Sequence, residues 1–176
     1  VAVVSGRIIT LIDVHVVEAF GIAEGLPAPP GGGTDLRDVL EKLISQKVVL
    51  DLVRGRPPAD PARIEAEIER ITSGLGEEEA ARRLARFGIE RDDLRPYVEE
   101  KLGVETVIAE RFSRSVTVSL DEIETRYRER YLPAEQAAGR IPRPFLEAVD
   151  VLEREIRTEK TASQSNLWIQ SLREQA

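Results

Sequence analysis

The sequence contains no cysteine and no methionine, a single histidine, His15, and a single tryptophan, Trp168. Without cysteine there is no disulfide framework, no thiolate metal site and no cysteine nucleophile. The lack of thiols does not indicate a particular cellular compartment, although it suits an oxidising one. Because His15 has no second histidine or nucleophile near it in the sequence, we predict a surface or packing role for it and no catalytic or metal-binding residue.

Long hydrophobic runs and an excess of positive charge are also lacking. No apolar run reaches the roughly 18 residues that a membrane-spanning helix needs. The chain carries 32 acidic residues against 25 Lys and Arg, a net charge of -7, whereas phosphate contacts need clustered Lys and Arg. We therefore predict no membrane span and no nucleic-acid partner. The Gly31–Gly33 run lacks the flanking strand and the Gly-Lys-Ser/Thr ending of a phosphate-binding loop, so no nucleotide cofactor is expected.

The composition that remains is typical of an elongated helical protein. The chain has 176 residues, of which 41% are hydrophobic and 32% charged. A chain of this length forms one domain, with or without an extension. The high charged fraction indicates a large exposed surface, which thin helical bodies have for their volume.

One segment, Asp35–Arg54, predicts the central helix of this domain. Its first half places apolar residues at the i, i+3, i+4 spacing of one helix face. Its second half, Val48–Val53, points apolar side chains to nearly every side of the helix. A helix that is apolar most of the way round must be enclosed by other elements. We therefore expect this helix to be a stability element, surrounded by the rest of the domain, and not the binding site.

The two ends of the chain supply the elements around this helix. Val1–Thr10 contains two β-branched runs separated by Ser5-Gly6, which is typical of a hairpin with a two-residue turn. Thr10, with Asp13 three residues on, predicts the start of a first helix. Gly25–Gly33 is rich in proline and glycine and predicts a flexible loop. At the far end, Trp168 is expected to anchor the core; the alternative is a ligand platform.

Helix start and stop signals divide the middle of the chain. Asp60-Pro61 and Gly88 are typical start and stop signals, and Ser119 with Glu122 forms a capping-box pattern. Polar and β-branched residues alternate over Ser115–Ser119, which predicts a brief strand. The predicted helices run from Pro61 to about Gly74, over Glu77–Phe87, from Asp92 or Asp93 to Phe112, from Ser119 to about Ala138, and over Phe145–Gln175.

These segments, in this order, resemble the N-terminal domain of SurA-type periplasmic chaperones and parvulin-type foldases. The similar segments are AVVSGRIITLIDV, LISQKVVLDL, FGIERDDLRPYVEEKLGVETVIAERF, VTVSLDEIETRYRER, and PFLEAVDVLEREIRTEK with the closing Leu-Trp-Ile. The resemblance covers nearly the whole chain, and its strength lies in the serial order. Ser5 occupies a position where the family usually has Asn, and Ser45 occupies one where the family has an acidic residue.

The resemblance implies a mainly α fold. It implies a single SurA N-terminal-like domain over residues 1–176, with a small N-terminal β-hairpin and a long C-terminal helix that closes the core. In SurA-type proteins the parvulin isomerase domain lies before the closing helix. Here that interval is the short loop 133–144, and an isomerase domain of about 100 residues cannot fit there. We therefore expect no isomerase activity and no catalytic residue.

The function that the resemblance implies is ATP-independent, chaperone-like binding of unfolded or outer-membrane-bound polypeptides in the periplasm. A signal peptide, absent from this chain, would direct the protein there. The candidate contacts lie in the flexible loop and beside the shortened insertion point: Leu26, Tyr127, Tyr131, Leu132 and Phe145. The alternative for each of them is ordinary packing. Two other functions stay open, a structural or oligomerisation module that forms a homodimer, and a prolyl isomerase-related protein.

Overall fold

In a computed structural model, the structure describes residues 2–4, 6–26, 35–52, 55, 58–112 and 115–175. The chain is mainly helical, with one small antiparallel hairpin at its N-terminus and a long C-terminal helix, as predicted. Contacts within the chain, which the sequence predicts to be one domain over 1–176, group into two compact units. The first unit is Val1–Ala109 with Asn166–Ala176, and the second unit is Glu110–Ser165. Most of the predicted Gly25–Gly33 loop, together with Val53 and Arg54, lies outside the described residues.

The hairpin of the first unit has the predicted position and turn. Strand β1, Ala2–Val4, pairs antiparallel with β2, Arg7–Ile9, and the pairing of Val4 with Arg7 leaves a two-residue turn. Gly6 in that turn has φ of +79°. A turn of this kind needs a positive φ, which glycine adopts without steric cost.

The helices of the first unit begin where their capping residues predict. Thr10 and Asp13 form a reciprocal capping box at the first helix. Asp60 accepts from the N–H of Ala62, and Pro61 occupies the first helical position. One start differs from the prediction, because a short 3-10 turn at Arg91–Leu94, capped by Glu90, precedes the helix that was expected to begin at Asp92 or Asp93. The helices are α1 Leu11–Ala19, α2 Leu36–Asp51, α3 Pro61–Leu75, α4 Glu77–Phe87 and α5 Arg95–Phe112.

Helix α2 lies in the core of the first unit, but it is not enclosed on every side. Its buried apolar residues are Val39, Leu43, Val48 and Val49. Leu52, at the end of α2, is 57% exposed, so the prediction of full enclosure is wrong there. The C-terminal segment returns to this core through Ile169, with Trp168 partly buried against it. The guanidinium of Arg173 donates to Glu41 at 2.5 Å and to Ser45 at 3.4 Å.

A buried ion cluster joins α3 to α5. The Lys101 side chain is 5% exposed, and its ammonium lies 2.5 Å from a carboxylate oxygen of Glu67. Arg70 donates to both Glu67 oxygens, at 2.7 and 2.8 Å. The hydrogen bonds from Arg70, followed by those from Lys101, outweigh burial and lower the pKa of Glu67 to about 2. The sequence predicted a helix over this segment of α5, but not the ion cluster on it.

The second unit contains a helical segment that turns back through a loop into the last helix. Helix α6, Leu120–Arg126, continues through a π-helical turn, Tyr127–Tyr131, into α7, Leu132–Ala137. Helix α8, Phe145–Gln175, has the predicted bounds, and its residues up to 165 belong to the second unit. The second unit has its own apolar core, formed by Ile123, Ala148, Leu152 and Ile156.

The predicted strand at Ser115–Ser119 is wrong. The segment has no strand partner within the described residues and leads directly into the cap of α6. Side chains of α8 take the place of a partner strand: Arg157 donates to the carbonyl of Val116 and Lys160 to that of Thr117, both at 2.8 Å. In the part of the chain that the structure describes, every helix is too short or too polar to cross a bilayer.

Candidate functional site

Leu26 is not a surface contact of a flexible loop, contrary to the sequence prediction. It is 6% exposed and belongs to the core of the first unit. Its N–H donates to the carbonyl of Ala23, and positive φ values at Gly21 and Gly25 allow tight turns there. These turns direct the side chain into the core, whereas its proline- and glycine-rich neighbours suggested an exposed position.

Three of the remaining predicted residues form one aromatic cluster in the second unit. The rings of Tyr127 and Tyr131 stack with centroids 5.4 Å apart, and Phe145 meets Tyr127 edge to face at 5.3 Å. Such arrangements are the favoured ones for aromatic pairs and add to the energy of burial. All three side chains are partly buried against the core of the second unit. Leu132, the fourth predicted residue, is half-buried at the start of α7.

The hydroxyls of the aromatic cluster hold the loop 139–144. The Tyr127 hydroxyl donates to the carbonyl of Arg143 at 2.7 Å, and the Arg143 N–H donates to the Tyr131 hydroxyl at 3.2 Å. At the start of the loop, the N–H of Arg140 donates to the carbonyl of Glu135. The Arg140 guanidinium also bonds to the Glu135 carboxylate and keeps its pKa below the usual value. Both ends of the loop are therefore fixed.

A π-helical turn places the two tyrosines at this loop. The N–H of Leu132 donates to the carbonyl of Tyr127, five residues back, where a regular helix would use the residue four back. Pro133 follows immediately, and in a regular helix its ring would clash with the carbonyl of Glu129. We attribute the wider turn to Pro133, because prolines are among the few identifiable causes of such helix distortions.

Two large apolar side chains that the sequence analysis did not select lie beside the aromatic cluster in the chain. Ile141, in the loop, is 94% exposed, and Leu146, in the first turn of α8, is 86% exposed. We call Ile141 and Leu146 the apolar pair. A signal for both was present in the sequence. Ile141 is the one large aliphatic residue of the segment GRIPRP. Leu146 lies off the apolar stripe that helical spacing gives to Phe145, Val149, Leu152 and Ile156.

The described residues bring together no group of three or more histidine, aspartate or glutamate side chains that could hold a metal ion. Neither a family model, nor a curated protein, nor a solved structure matched the chain when it was compared with known proteins. The resemblance to SurA-type chaperones therefore stays a prediction from the sequence, and the candidate site rests on its geometry.

The hydrogen bond to the Tyr131 hydroxyl predicts a local change in the Tyr131→Phe variant. Loss of one exposed hydrogen bond of about 1 kcal/mol should increase the hydrogen-exchange rate of the Arg143 amide about fivefold. The amide of Arg140, bonded to Glu135, is an internal control whose exchange should not change. Tyr97→Phe, in the first unit, is the matched variant. Unchanged exchange at Arg143 in Tyr131→Phe would contradict the role of this hydroxyl.

Proposed function

We propose that this chain binds unfolded polypeptide segments without catalysis, and that the apolar pair in the second unit is the binding surface. One observation carries the proposal. Ile141 and Leu146 are almost fully exposed on a segment whose backbone is fixed by the aromatic cluster. A fixed backbone lowers the ordering cost of binding. The aromatic cluster has a supporting role in this proposal, because its hydroxyls are already used within the chain.

The expected affinity is low. Burying one large aliphatic side chain contributes roughly 1.5–3 kcal/mol, so the apolar pair contributes about 6 kcal/mol at most. Loss of translational and rotational freedom opposes association by a similar or larger amount. Further contacts by the client are needed to bring the dissociation constant below the millimolar range. Binding of this kind discriminates little between apolar segments, which suits a protein that holds many unfolded chains.

The remaining parts of the proposal rest on the resemblance. SurA-type proteins act in the periplasm on polypeptides destined for the outer membrane, and we propose the same compartment and clients for this chain. We also propose that it has no isomerase activity, since the loop 139–144 is too short for the parvulin domain that the family carries near this position. A signal peptide in the complete gene would support the compartment.

The double variant Ile141→Ser/Leu146→Ser tests the binding surface. We expect the unaltered protein, at several-fold excess, to slow the light-scattering increase of a diluted, unfolded outer-membrane β-barrel protein. The double variant should lose most of this effect, because both apolar side chains are removed. Leu120→Ser/Leu167→Ser is the matched control, since it removes two leucines that are also exposed.

Both double variants should fold, since substitutions at exposed positions usually change stability by less than about 0.5 kcal/mol each. Circular dichroism checks this before the aggregation assay. Equal loss of suppression in the two double variants would assign the effect to general surface hydrophobicity. No suppression by the unaltered protein would contradict the proposed function itself.

A further inference from the structure

The outer edge of strand β2 carries backbone groups that have no hydrogen-bond partner among the described residues. In an antiparallel hairpin, hydrogen-bonded and non-hydrogen-bonded pairs alternate, beginning with a bonded pair at a two-residue turn. Val4 and Arg7 flank the turn, so Val3 and Ile8 form the non-hydrogen-bonded pair. The N–H and C=O of Ile8 therefore point away from β1. Among the described residues no other hydrogen bond reaches them.

A groove of about 480 Å³ lies beside this edge, within the first unit. Ile8 and Ile9 of β2 line it, whereas no residue of β1 does so among the described positions. The groove is therefore on the β2 side of the hairpin. Its apolar lining comes from α2, α5 and the segment before α5: Leu43, Ile89, Pro96 and Tyr97.

The charged groups of the groove leave an excess of negative charge. Lys47 and Arg7 both bind Glu100, with nitrogen–oxygen distances of 2.6 and 3.6 Å. Asp13 and Asp93 line the same groove, and no cationic side chain of the described residues lies within ion-pair distance of either. Burial opposes ionisation of Asp13, but hydrogen bonds from Thr10 and Tyr97 outweigh it and lower the pKa of Asp13. The Asp13 carboxylate is thus ionised at neutral pH.

We infer that the β2 edge and its groove bind an extended peptide that carries lysine or arginine between aliphatic residues. The peptide would add a strand beside β2, exchanging hydrogen bonds with the N–H and C=O of Ile8. Alternate residues of an added strand point to the same face. Every second side chain of the peptide would therefore enter the groove, where Asp13 and Asp93 face a cation and Pro96 and Tyr97 face its aliphatic stem. This site lies in the first unit and is carried by residues other than the apolar pair.

A fluorescent peptide of alternating valine and lysine is the probe, and fluorescence anisotropy is the measurement. Ile8→Pro removes the outward N–H of β2, and Val3→Pro removes the corresponding N–H on the outer edge of β1. Proline is tolerated at edge positions whose N–H does not take part in the sheet, so the two variants are matched. We expect Ile8→Pro to weaken binding about tenfold, since a backbone hydrogen bond and the close approach of the peptide are lost. Val3→Pro should bind like the unaltered protein.

Charge recognition is tested separately, which keeps the inference testable if Ile8→Pro does not fold. Asp93→Asn keeps the oxygen that accepts from the Glu90 N–H and removes the negative charge. Asp93→Asn should weaken binding of the valine–lysine peptide severalfold. A valine–glutamate peptide should bind neither the unaltered protein nor Asp93→Asn. Equal binding of the two peptides, or a larger loss in Val3→Pro than in Ile8→Pro, would overturn the inference. If the unaltered protein dimerises without binding the peptide, and Ile8→Pro abolishes the dimer, the edge binds a second copy of the chain and the inference is overturned too.

The same assay separates this inference from the proposed function. Ile141→Ser/Leu146→Ser should keep full affinity for the valine–lysine peptide, because the altered residues lie in the second unit. Loss of aggregation suppression with unchanged peptide binding would support both statements. Unchanged suppression in Ile8→Pro, with peptide binding lost, would show that the two sites act independently.

Discussion

The Leu43→Asp variant is expected to lose the native structure of the first unit. Leu43 is 4% exposed, in the middle of α2. An aspartate there buries a carboxylate, and Lys47, one helical turn further on, is already bonded to both oxygens of Glu100. An unpaired buried charge costs at least about 4 kcal/mol, which approaches the whole stability of many domains.

Leu52→Asp is the matched control for this prediction. It makes the same substitution at the exposed end of α2, where we expect a loss of about 1 kcal/mol or less, mainly from the helix dipole. Circular dichroism and urea unfolding of both variants are the measurements. Native helix content and an unchanged urea midpoint in Leu43→Asp would show that α2 does not have the central role in the core that we assign to it.

Glu67→Gln is expected to produce the second-largest loss of stability. The substitution removes the carboxylate nearest to the buried ammonium of Lys101 and leaves it only the more exposed Glu105, 3.7 Å away. Arg70 loses the same partner. Breaking a buried ion pair by removing one partner costs about 3 kcal/mol or more. Glu65→Gln is the control, because Glu65 pairs with Arg91 and Arg95 at a more exposed position, where ion pairs contribute less than about 1 kcal/mol. Similar urea midpoints for the two variants would contradict the importance of the buried cluster.

The same cluster predicts a pH dependence of stability. The pKa of Glu67 is about 2 in the folded protein, below its ordinary value of 4.5. The carboxylate therefore contributes stability that is complete above about pH 4.5 and is lost as the pH falls toward 2, up to about 3 kcal/mol. The difference in unfolding free energy between the unaltered protein and Glu67→Gln should shrink over this range. A difference that stays constant with pH would contradict the low pKa.

Local interactions explain why much of the fold could be predicted from the sequence. The capping boxes at Thr10 and Ser119, the Asp60-Pro61 start and the left-handed glycine at Gly88 act within four residues of the chain. Their geometry depends on neighbouring residues of the chain and needs no tertiary contact. The helix over Glu77–Phe87 and the last helix over Phe145–Gln175 consequently have the predicted bounds.

The positions whose structure differs from the prediction depend on contacts between distant residues. Leu26 is buried because tight turns bring it onto the core, and Ser115–Ser119 is held by Arg157 and Lys160 where a strand was expected. The composition of a segment indicates its local preference, but it does not say which distant group is available to bond or cover it.

The candidate site shows the same division. The sequence by itself determined that Tyr127, Tyr131 and Phe145 flank one short interval of the chain, residues 133–144, which the resemblance marks as the shortened insertion point. Only the tertiary structure decided that their hydroxyls and rings are used within the chain while Ile141 and Leu146 stay exposed. Exposure is a property of the packed surface, and it depends on which side chains from other elements cover a residue, so periodicity along one helix cannot determine it.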